Sequence, residues 1–381
     1  MTVSTSAALF DLLRESNILS PEELTRAENL IGDEADIKTA ARRLVKADLL
    51  TRWQAGQLLK GSPLLSLGKY ILLERLPWGS NHAVFLATHP MMERKVALNV
   101  LDRARSGRSD SVAGFLSDAR AIAALDHRHL IHVYDVDEAE KRYFLVMEYV
   151  DGRILNVVVK VEGPLPFDVA ADIIRQIADG LAHAHEHKLV HGGLRPTNVI
   201  LDEQGTIKVI DLGLSKFDDF SQKPEGEADD SKILGIADYL SPEQAAGQFP
   251  TPTSDLYSLG CIGFYLLTGQ APFGKGNYTQ RLQKHQNDTA PQINSLRKNT
   301  PEGLTKILNK LLAKQPDKRY ASAKEVAAEI LKWWTEYSAK FAAEKPKPAP
   351  PRSKPAANGS APRPAAAKPA QASSKPPVAA P

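Results

Sequence analysis

Only one cysteine, Cys261, occurs in 381 residues. It excludes an internal disulfide framework and any metal site built from several thiolates, and it fits a reducing compartment. Long apolar runs are also missing. LGCIGFYLLTG, among the longest, falls well short of the ~18 residues that mark a membrane span. The opening residues, MTVSTSAALFDLLRES, lack the basic stretch and long apolar stretch of a secretory signal. The expectation is a cytoplasmic protein with no membrane span.

Acidic residues and aromatics are absent from the end of the chain. From Lys345 to Pro381 there are seven Lys or Arg and no Asp or Glu, so the formal net charge of +3 becomes −4 for residues 1–344. A segment this rich in Pro, Ala and Lys cannot bury enough apolar surface to offset the entropy of ordering. Residues 342–381 therefore read as a disordered tail, kept extended by proline. It is either a plain solvated linker or a basic tether that contacts acidic surfaces. Spaced lysines meet phosphate without reading sequence, so no specific nucleic acid is implied.

What the chain does contain is ordered in blocks. Residues 1–63 read as short helices forming a small packing or docking module. Ser20, Pro21 and Glu23 form a helix start, and IKTAARRLVKADLL and TRWQAGQLLKG keep helical apolar spacing. From Tyr70 the period changes. YILLERL, HAVFLAT, KVALNVL and YFLVMEYV suit strands, with SVAGFLSDARAIAAL as a helix among them. From Phe167 helices dominate, interrupted by a hairpin of VILDE and TIKVIDL. A strand-rich lobe followed by a helix-rich lobe predicts an α+β fold with a cleft between the lobes.

Eight segments, in order and register over residues 68–335, resemble the protein kinase domain of bacterial eukaryotic-like Ser/Thr kinases. VALNVL resembles the strand VAIKVL, and FLSDARAIAALDHRHLIHVYDV the helix and strand that follow it. YFLVMEYVDG resembles the hinge, HGGLRPTNVIL the catalytic loop HRDLKPxNILL, and IKVIDLGLSK the magnesium-binding DFG segment. ADYLSPEQAAG resembles the end of the activation segment, TSDLYSLGCIGFYLLTGQAPF the buried helix after it, and PDKRYASAKEV the last family block. The resemblance implies a bilobal kinase-like fold. It also implies ATP with Mg²⁺ as cofactors, an adenine pocket of Gly79, Val84, Ala97, Met147, Glu148, Val150 and Ile200, and Asn198 and Asp211 as metal ligands.

Phosphoryl transfer rests on positioning and charge, and here the charged parts are missing. Asn99 stands at the position of the phosphate-binding lysine, and Asp118 at that of its glutamate mate. A hydrogen bond between Asn99 and Asp118 could replace the ion pair. Gly193 stands at the general base and Gly192 at the arginine beside it, so no catalytic residue is assigned. In LPWGSNHAVFLA the glycine-rich loop keeps only Gly79; Trp78 and His82 could fill the cleft. The stretch LSKFDDFSQKPEGEADDSKILGIAD of the activation segment holds Ser215, Ser221 and Ser231 but neither Thr nor Tyr. The family's scaffold positions are occupied: His191 and Arg195 in the loop, Glu243 and Arg319 as a buried ion pair, and Asp255 as acceptor for loop amides. Loss of a general base costs ~10²–10⁴ in rate. The pattern reads as a catalytically impaired pseudokinase that docks an active kinase or another signalling protein. The alternatives are a Ser/Thr kinase with residual or unorthodox transfer and an ATP sensor without transfer.

Overall fold

Helix boundaries in the first sixty residues follow their caps. The structure, a computed structural model, describes residues 3, 5–32, 36–78, 83–101, 109–213 and 230–344, without the side chains of 109–113, 115, 230–233 and 340–344. Helix α1 (Ser6–Ser16) starts where Thr5 accepts the Ala8 N–H. Helix α2 (Pro21–Ile31) starts in a full capping box, Ser20 and Glu23 each accepting the other's backbone N–H. Asp36 caps α3 (Ile37–Lys46), and Thr51 with Gln54 boxes α4 (Arg52–Leu59). Leu9, Leu13, Leu44, Leu58 and Leu65 lie wholly buried in one cluster between these helices.

The four-helix block is pinned to the sheet that follows it. Strand β1 (Ser66–Leu67) pairs with β2 (Tyr70–Leu76), and β2 with β3 (Ala83–His89). The register between β2 and β3 shifts between Leu72 and Glu74, leaving Leu73 as the extra residue of a bulge. Backbone carbonyls there need partners from elsewhere. Thr51 Oγ1 donates to the Leu73 carbonyl and Gln54 Nε2 to that of Leu72, the latter at 2.7 Å. Trp53 adds an edge-on contact with Phe85, ring centroids 5.6 Å apart.

Strands β4 (Arg94–Val100), β5 (Val133–Ala139) and β6 (Arg142–Glu148) complete a six-stranded antiparallel sheet among the described residues, in the order β1-β2-β3-β4-β6-β5. The period of two along a strand sorts its side chains. On β4 and β6, Val96, Leu98, Val100, Phe144 and Val146 join the cluster on one face, which also takes in Trp53. Ala97, Leu145 and Met147 join the cluster on the other face, which continues into the second lobe. Asn99 therefore falls on this second face, opposite Val84 on one neighbour and Leu145 on the other. Helix α5 (Ser109–Ala123) lies between β4 and β5 in the chain and packs on β5.

The second lobe is helical. A three-stranded sheet of β7 (Gly152–Ile154), β8 (Val199–Asp202) and β9 (Ile207–Val209) stands at its cleft side. Around it run α6 (Leu155–Glu162), α7 (Phe167–Glu186), α8 (Asp230–Ala237), α9 (Pro242–Ala245), α10 (Pro252–Thr268), α11 (Tyr278–Asn287), α12 (Ile293–Leu296), α13 (Glu302–Leu311) and α14 (Ala323–Glu344). Every residue of α10 from Ser254 to Leu267 is buried, as a helix apolar on all sides must be. Its glycines let α13 approach. A Cβ on Gly260 would stand 2.8 Å from the Leu311 Cβ, and one on Gly263 2.4 Å from a Leu308 methyl. The expected α+β architecture is thus the observed one. No helix of the described residues is long and apolar enough to cross a membrane.

The chain divides into two units, Met1–Tyr337 and Ser338–Pro381. The second has helical backbone through Glu344, and its remaining residues lie outside those described.

Candidate functional site

Strand and loop geometry brings the cleft residues together from three directions. Asn99 comes from β4 and is 2 % exposed. Asp211 follows β9 with φ +60°, a conformation uncommon for a residue with a Cβ. That turn places its carboxylate against the sheet, and Asn99 Nδ2 donates to Asp211 Oδ1 at 3.2 Å. The amide at the lysine position is thus bonded to the acid of DLG. Asp118, half-buried on α5, is the partner that sequence comparison offered for Asn99.

Asn198 is buried and engaged within its own loop. Its Nδ2 donates to the Gly193 carbonyl at 3.1 Å, and its Oδ1 accepts from Thr197 Oγ1 at 3.3 Å. Its backbone carbonyl accepts from the Ile210 N–H at 2.9 Å, which ties the loop to the segment before Asp211. As a magnesium site this pair is incomplete. Mg²⁺ takes six oxygens in near-octahedral geometry, and Asp211 already shares one of its two with an amide. Among the described residues no group of three or more His, Cys, Asp and Glu could hold a metal. Water and the phosphate oxygens of a nucleotide would have to complete the shell.

The loop before Asn198 is held as a shape. Asp255 at the start of α10, 1 % exposed, accepts from the His191 N–H at 2.9 Å, the Gly192 N–H at 2.8 Å and His185 Nε2 at 2.8 Å. Gln244 Nε2 donates to the Gly192 carbonyl at 2.6 Å. Gly192 itself sits at φ +71°, where a side chain would be strained. The Gly193 N–H reaches His191 Nδ1 at 3.4 Å, and no side chain projects from the position of the base. Burial pushes the His191 pKa down, so its imidazole stays neutral. Arg195 is buried beside this loop.

Beneath the loop, Arg319 and Glu243 form a bidentate pair, both distances 2.8 Å. The Arg319 side chain has no exposed surface and also donates to the carbonyls of Thr253, Ala313 and Lys314. Ser254 Oγ donates to the same Glu243 oxygen at 2.7 Å. Burial raises the Glu243 pKa, but the hydrogen bonds from Arg319 and Ser254 outweigh it and hold the carboxyl below its ordinary value.

Four of the adenine-pocket candidates and Trp78 belong to one buried cluster. Val84, Ala97, Met147 and Ile200 are buried in the cluster that spans the lobes, and Trp78 is buried in it with them, 4 % exposed. Its indole stacks on Tyr149, centroids 5.8 Å apart and planes 9° from parallel. Tyr149 directly follows Glu148 and precedes Val150, which packs on the cluster's margin. The Glu148 carboxylate is held by Lys208 Nζ at 2.6 Å and the His132 N–H at 2.8 Å. Gly79 and His82, and with them Ser215 and Ser221, lie outside the described residues, as does the side chain of Ser231.

Sequence reading did not single out Tyr149, Lys208, Gln244 or His185. Gln244 had a local signal, since Ser241 and Gln244 form a capping box. The others act through partners remote in sequence.

The chain matches the protein kinase domain over residues 70–332. It is 33% identical over 263 residues to serine/threonine-protein kinase PrkC of Bacillus subtilis (strain 168), covering 69% of this chain and 40% of that protein. It is 35% identical over 270 residues to serine/threonine-protein kinase PknB of Mycolicibacterium smegmatis, covering 69% and 43%. The chain thus spans about two fifths of the length of the curated relatives it matches. The fold is similar to that of the Mycobacterium tuberculosis PknI kinase domain, with a TM-score of 0.56 at 23% identity over 70% of this chain and 97% of that one.

Proposed function

Since the chain belongs to the protein kinase domain family, we propose that it is a pseudokinase: a kinase-like domain that docks a protein partner and transfers phosphate weakly or not at all. Kinases of this family normally use ATP with Mg²⁺ and act on proteins, so the partner proposed is an active kinase or another signalling protein. The observation that carries the reading is the bond between Asn99 and Asp211. In a phosphoryl-transfer site a cation offsets the phosphate charge and the acid holds the metal. Here a neutral amide takes the cation's place and occupies an oxygen of that acid.

Two further features support it. Gly193 offers no group to accept a proton from an attacking hydroxyl, and loss of a general base costs ~10²–10⁴ in rate. Trp78 is buried in the cluster that also holds four of the adenine-pocket candidates, stacked on Tyr149, which supports an occluded cleft. The loop's architecture is kept by Asp255, Gln244 and the Arg319–Glu243 pair, which supports a role for the domain as a folded scaffold.

A thermal-shift titration of the purified chain with ATP, with and without Mg²⁺, tests this. The expected result is no rise in the unfolding midpoint at millimolar nucleotide. A magnesium-dependent rise would favour the nucleotide-sensor reading, with Asn198 and Asp211 completing a metal shell on the triphosphate.

A further inference from the structure

Between α3 and α4 runs a groove of about 790 Å³ on the outer side of the helical block. Ala41, Val45, Ala55, Gly56 and Leu59 line its floor, and Lys38, Arg42, Lys46 and Arg52 stand around it with one acid, Asp48. Lys38, Arg42 and Lys46 follow one another at four-residue intervals, so they form a single exposed row on α3. Like charges at that spacing destabilise a helix. Among the described residues none of the four cations is in an ion pair. This positive row belongs to a body, residues 1–344, whose formal net charge is −4.

Gly56 gives a second, independent observation. It lies in the interior of α4, where glycine weakens a helix relative to alanine. Nothing in the fold asks for it: a Cβ built at Gly56 meets no atom within 4 Å. Its φ is not left-handed, so turn geometry does not require it either. A glycine that faces open space in a helix, beside Ala41 and Ala55, leaves room for another backbone to come close.

We propose that this groove is a docking site for an amphipathic helix of a protein partner, with small or aliphatic residues on one face and acidic residues flanking them. The aliphatic floor matches a helix laid into a groove, and the row of cations matches the acids beside its apolar face. A nucleic acid fits less well. Trp53, the aromatic of α4, is turned to Phe85 on the sheet and offers no stacking platform in the groove. The site is separate from the cleft and stands whether or not the cleft turns over nucleotide. Its floor helix, α4, is the one that Thr51 and Gln54 pin to the bulge of β2.

The test is selection of a displayed library of helical peptides on the full chain, followed by fluorescence anisotropy of the enriched peptides. They are expected to carry an acidic-flanked aliphatic face and to weaken with rising salt. Gly56→Leu should weaken them about tenfold or more with unchanged far-UV circular dichroism. An Arg42→Glu/Lys46→Glu variant, which alters only exposed side chains, should do the same and covers the case in which Gly56→Leu perturbs folding. A duplex oligonucleotide and phosphatidylserine vesicles serve as probes of the other two polyanion classes. Failure to enrich peptides, enrichment of basic ones, binding to both variants as tight as to the unmodified chain, or stronger binding to the oligonucleotide or vesicles would each overturn the proposal.

Discussion

Replacing Trp78 by alanine should both destabilise the first lobe and open its cleft. The indole is 4 % exposed, so nearly all of its surface leaves water on folding. A buried tryptophan of ~150–250 Å² at ~25 cal/mol per Å² corresponds to about 4–6 kcal/mol, and Trp→Ala changes cost about 3–5 kcal/mol. The parallel stack on Tyr149 accounts for about 0.5–1.5 kcal/mol of such a total. A loss of about 4 kcal/mol lowers the unfolding midpoint by about 8 °C, taking ~2 °C per kcal/mol for a large domain. The space left has the shape of the indole and opens in the cluster that holds Val84, Ala97 and Met147. Adenosine or ATP should therefore stabilise Trp78→Ala and leave the unmodified chain unmoved; ligand at a hundred times its Kd would restore about 2.7 kcal/mol. Differential scanning fluorimetry of both proteins with and without adenosine reads both effects. Equal stabilisation of the two proteins would refute the idea that Trp78 occludes the pocket. A stability loss under about 1 kcal/mol would show that the indole is not packed as described.

Two further outcomes concern stability. Arg319→Ala strips Glu243 of its bidentate partner and three carbonyls of a donor, so urea denaturation should show a loss of about 3–5 kcal/mol; a loss under about 1 kcal/mol, typical of surface pairs, would contradict it. Burial first, and then the nearby Lys314 charge, depress the His285 pKa from 6.5 to about 3. The folded imidazole stays neutral while the unfolded one protonates, so its stabilisation is complete above pH 6.5 and falls away toward pH 3. At pH 5 the loss should be about 2 kcal/mol, read as a steeper pH dependence of unfolding than in His285→Gln. Parallel profiles for the two proteins would refute it.

What the sequence revealed was what local chemistry encodes. The helix start at Ser20 and the short apolar strand segments KVALNVL and YFLVMEYV are written in neighbouring residues, and with eight motifs in register they made the two-lobed fold legible. The resemblance of VALNVL to the family strand also put Asn99 at the lysine position. Its partner was not legible: sequence comparison offered Asp118, and the bond found is to Asp211, set by a left-handed turn after β9. Sequence reading offered Trp78 as a side chain that could fill the cleft but gave no sign of its stack on Tyr149, because packing partners 71 residues apart leave no periodic trace. The docking of the helical block was invisible for a similar reason. Thr51 and Gln54 announce a helix start, but nothing local says that they also satisfy a bulge in β2.

The central claim is that a kinase scaffold here stands without its phosphoryl-transfer chemistry. Transfer of labelled γ-phosphate from ATP–Mg²⁺ by the purified chain, to itself and to a general protein substrate, tests it most directly, with Asp211→Ala as the matched control. The account predicts the same background for both proteins. Transfer above that background, abolished by Asp211→Ala, would contradict it.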